Sequence, residues 1–101
     1  MTEQVVTLLK QLASNPGGVL FKDKKDILEK AMALLGITGV KIVERYKNSI
    51  CLEGEEKFFR LAERFLNIVS YWFAAGKAFE TDILDKLREA ALSLANQEAS
   101  F

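Results

Sequence analysis

Apolar residues along this chain follow a helical spacing, switch to a β-branched, partly alternating stretch, and return to a helical spacing. Val5, Leu8, Leu9 and Leu12 share one face of a helix predicted over 2–13, with Thr2 as its N-cap. Ser14, Asn15, Pro16, Gly17 and Gly18 stop it, since proline and paired glycines break helices. Val19, Leu20 and Phe21 then form a short apolar run that reads either as a strand or as a lead-in to the next helix. That helix is predicted over 23–35. Asp23 is its expected N-cap, Asp26 lies near its positive end, and Ile27, Leu28, Ala31, Leu34 and Leu35 make the apolar face. Gly36 suits the C′ position that ends it.

From Gly39 to Tyr46 the residues are β-branched, Lys47 and Asn48 suit a tight turn, and Ser49 to Glu53 read as a return strand. This predicts a hairpin over 40–53. A hairpin alone is marginal in water, so it must lie on helices, pair with Val19–Phe21 or pair with a partner chain. Gly54 closes it, a long helix follows over 55–75, Gly76 ends that helix, and a last helix runs over 81–95 from Thr81. The tail from Asn96 to Phe101 is expected to fray. The fold class is α+β, predominantly helical, in the order α-α-β-β-α-α, and the whole of 1–101 reads as a single domain.

The long helix differs from the others. Its apolar positions, from Ala75 and Ile68 at one edge through Phe65 and Phe58 to Leu66 and Phe59 at the other, fill an arc of roughly 200°. The last helix has a stripe of about 140°, nearer to an ordinary surface helix. Arg60, Glu63, Arg64, Asn67 and Ser70 fill the remaining arc of the wide helix. A helix of this kind needs cover on two sides. Either the other helices supply both, or one side meets a second copy of the chain. Phe59, Leu66 and Phe73, spaced by sevens along one edge, are the expected partner-facing residues.

Composition narrows the setting. With 101 residues, half of them hydrophobic and 28% charged, the chain can fold around its own core. Its 14 basic residues balance its 14 acidic ones, so no global field draws it to nucleic acid or membrane. The uncharged stretch from Phe65 to Gly76 is shorter than the ~20 residues a membrane helix needs. The start MTEQVVTLLKQL lacks the pattern of a signal peptide. A lone Cys51 excludes an intrachain disulfide. A soluble, cytoplasmic protein is expected.

Enzymatic chemistry has little to stand on. The sequence holds no histidine, which removes the commonest general base and metal ligand. Cys51 lies between Ile50 and Leu52 on a predicted strand and reads as a small half-buried or edge-strand residue. Glu53, Glu55 and Glu56 surround Gly54 and suit the positive end of the following helix better than a metal ion. No metal, cofactor or catalytic residue is predicted. The remaining candidate chemistry is basic. Lys22, Lys24, Lys25 and Lys30 lie on the second helix, and Lys41, Arg45 and Lys47 extend the series along the hairpin, with Tyr46 at its tip able to stack on a base. Asp23, Asp26 and Glu29 interleave with the lysines and oppose phosphate binding, so a solvated face is the alternative.

Residues 38–66, TGVKIVERYKNSICLEGEEKFFRLAERFL, resemble the second half of a winged-helix domain: a glycine-apolar lead-in, a hairpin wing, then a glycine before a helix carrying aromatic residues. The resemblance implies that Arg45, Tyr46 and Lys47 are wing residues near a DNA backbone. It also implies that the second helix is the recognition helix and that the C-terminal helix pair dimerises. Between Ser14 and Gly39 this sequence offers one helix, where a winged helix needs two. The expected function is a non-enzymatic binding module: a homodimeric, winged-helix-like nucleic-acid-binding regulator. The alternative is a protein-interaction or assembly subunit with an apolar helical interface and no nucleic-acid partner.

Overall fold

The computed structural model describes residues 2–13, 21–45, 49–54, 56–76 and 78–99. In chain order these form α1 (Thr2–Ala13), α2 (Phe21–Leu34), β1 (Val40–Arg45), β2 (Ser49–Gly54), α3 (Glu56–Ala75) and α4 (Thr81–Ala99). The architecture is α+β and mainly helical, in the predicted order. Four boundaries differ, the smallest being the end of α2 at Leu34 rather than Leu35. Asp23 is the third residue of α2 rather than its cap, because the helix already includes Phe21. The tail is helical to Ala99, since Leu94 to Ala99 contains neither glycine nor proline to stop it. β2 extends to Gly54 rather than stopping at Glu53. Val19 and Leu20, Tyr46, the expected turn at Lys47 and Asn48, and Glu55 lie outside the described residues.

Two glycines set the joints. Gly36, at φ +84°, donates its N–H to the Ala33 carbonyl at 3.0 Å, and Ile37 donates to Met32 at 2.9 Å. This is a Schellman ending, with Ile37 buried beneath it. Gly54, at φ +146°, lies where any Cβ would collide with the Gly39 carbonyl, so the start and end of the hairpin touch through backbone alone.

The strands pair antiparallel from Val40↔Gly54 to Arg45↔Ser49. Alternation sorts their faces. Val40 and Ile42 are buried in the core, while Lys41 is exposed on the outer face, where register sets it opposite Glu53. Beneath the sheet, α3 supplies a buried stripe of Phe58, Leu61, Ala62, Phe65, Val69 and Trp72. Val5 and Leu9 of α1, Leu28 and Met32 of α2, and Leu84 and Leu87 of α4 complete the core. The smallest dimension is 18 Å, about two layers of secondary structure. So thin a body covers α3 thoroughly from one direction only.

The fully buried stripe of α3 spans about 100° of its wheel, half of the apolar arc read from sequence. The remaining apolar positions lie on its two flanks. One carries half-buried Ile68, together with Lys57, whose Nζ lies 5.4 Å from the centroid of the Phe58 ring. On the other, Phe59 and Leu66 are half-buried and Phe73 is 41% exposed.

Candidate functional site

The second flank of α3 borders the β2 edge of the hairpin, beside which no further strand pairs among the described residues, and the two edges of that hairpin differ. Ile42 on β1 donates its N–H to Glu29 Oε1 of α2 at 2.9 Å. An N–H that leaves the ladder identifies Ile42↔Leu52 as a non-hydrogen-bonded pair, in which the backbone groups of both residues point away from each other. Ile42 therefore faces α2, and Leu52 faces outward along the free edge of β2. The sheet has only two strands among the described residues. The β2 edge continues into a groove of about 330 Å³ lined by Cys51, Leu52, Phe59, Glu63, Leu66, Asn67 and Ser70. The β2 backbone and three apolar side chains, Leu52, Phe59 and Leu66, thus line one trough between β2 and α3. Cys51 is a free, half-buried thiol on this edge strand.

At the far end of α3 the aromatic side chains cluster. Phe79, in the segment leading to α4, meets Trp72 edge-on at 5.5 Å and Phe73 at 5.7 Å between ring centroids. Trp72 is core, and Phe73 bridges from that cluster to the surface. Of the three residues expected to face a partner, Phe59 and Leu66 share the trough and Phe73 stands one turn beyond it.

A second apolar groove, of about 570 Å³, runs between α1 and α2 and is lined by Gln4, Thr7, Leu8, Lys30, Ala33 and Leu34. Lys30 is thus at the rim of an apolar surface. Lys25, half-buried, is five residues earlier on α2 and turned about 140° from it. Lys25 and Lys30 therefore do not share a face of α2. Lys41 is on the outer face of the hairpin, opposite an acid. The side chains of Lys22, Lys24 and Arg45, and all of Tyr46 and Lys47, lie outside what is described.

Among the described residues, no group of three or more His, Cys, Asp or Glu is placed to hold a metal ion, and no helix is long and apolar enough to cross a membrane. No protein-family model, curated protein or solved structure matches the chain.

The sequence reading passed over Glu29 and Phe79. Glu29 looks like one more charge on a solvated helix, and a bond reaching 13 residues ahead to a backbone N–H leaves no periodic trace. Phe79 sits in a connecting segment, where periodicity says nothing. Its one available signal is an aromatic residue in an otherwise polar stretch.

Proposed function

We propose that this chain is a small, non-enzymatic protein-interaction module whose contact surface is the Phe59–Leu66–Phe73 flank of α3 together with the free edge of β2. The observation carrying this reading is the trough between β2 and α3, where a partly uncovered apolar flank adjoins an open strand edge. Full burial of a large apolar side chain contributes about 1.5–3 kcal/mol. Covering the exposed parts of three such residues supplies a substantial share of an association energy. Open strand edges also recruit further strands. A reducing, cytoplasmic setting suits the half-buried lone thiol on that edge.

Light scattering across micromolar concentrations tests the reading. The wild-type mass is expected to exceed the 11.3 kDa of one chain, and Leu66→Lys, which places an ammonium in the trough, to return it to that value with an unchanged circular dichroism spectrum. A wild-type mass of one chain at every concentration, with no stoichiometric protein co-purifying, removes it.

A second reading, the homodimeric winged-helix-like regulator, draws on one observation: Lys41 is exposed on the outer face of the hairpin, where a wing would meet a nucleic-acid backbone. It requires binding to short DNA that weakens steeply with salt and is lost when Lys24, Lys25, Arg45 and Lys47 are neutralised. No binding at low salt eliminates it.

A further inference from the structure

We draw no further inference here: the strongest candidate, the apolar groove between α1 and α2 that holds Leu8 and Leu34 with Lys30 at its rim, carries none because nothing in the structure shows what covers it.

Discussion

The two edges of the hairpin have the same backbone chemistry and different surroundings. On β1, the Ile42 N–H is bonded by Glu29 at 2.9 Å, and α2 packs alongside. On β2, the outward groups of Leu52 open onto a trough whose floor is the less covered flank of α3. A strand edge is sealed by giving its donors a partner. In this chain one acidic side chain on α2 does so for β1, and among the described residues no further strand pairs with β2. The same division runs through α3, whose stripe from Phe58 to Trp72 is core while Phe59, Leu66 and Phe73 keep part of their surface in water.

Mutations can break that division or sharpen it. Phe65 is 0% exposed, so Phe65→Ala should cost about 3–5 kcal/mol in urea or guanidinium unfolding. Phe59→Ala should cost distinctly less when the monomer is measured in dilute solution. Equal losses would mean that α3 has no functional division between stripe and flank. Gly54→Ala comes next, at about 2–3 kcal/mol or more by thermal unfolding, because the methyl group meets the Gly39 backbone and φ is positive. Glu29→Ala leaves the part-buried Ile42 N–H without its acceptor and should cost about 1–3 kcal/mol; Glu29→Gln, which keeps a carbonyl acceptor, should recover roughly half. If both substitutions are neutral, the sealing of β1 has another source. Gly36→Ala should cost about 1 kcal/mol. Its methyl would meet Ala91 Cβ at an ordinary 3.5 Å, so the loss comes from the φ of +84° alone.

Much of the fold was legible because it rests on local chemistry. The helical spacing of Val5, Leu9 and Leu12, the glycine after Leu35 and the β-branched run from Val40 each declare themselves within a few residues. The start of α2 was less so, because Asp23 suits an N-cap and a first helical turn equally well. For α3 the wheel showed an apolar arc too wide for one contact but could not say how much the chain itself would bury. That depends on how four helices and a hairpin stack into a body 18 Å thick, which is a tertiary outcome. The basic residues illustrate the reverse problem. Lys25 and Lys30 are near one another in sequence, yet helix rotation turns them to different faces of α2. The Glu29–Ile42 bond could not be read at all, since it joins a side chain to a backbone group on another element.

Amide hydrogen exchange of Leu52, set beside that of Ile42, tests the difference between the two edges most directly. Both are strand residues in register with one another, and their N–H groups point in opposite directions. Protection of the Ile42 N–H is expected to be independent of protein concentration. The Leu52 N–H should exchange rapidly in dilute solution and become protected as concentration rises, as the proposed interaction surface requires. Leu52 protection that does not change with concentration would contradict the account.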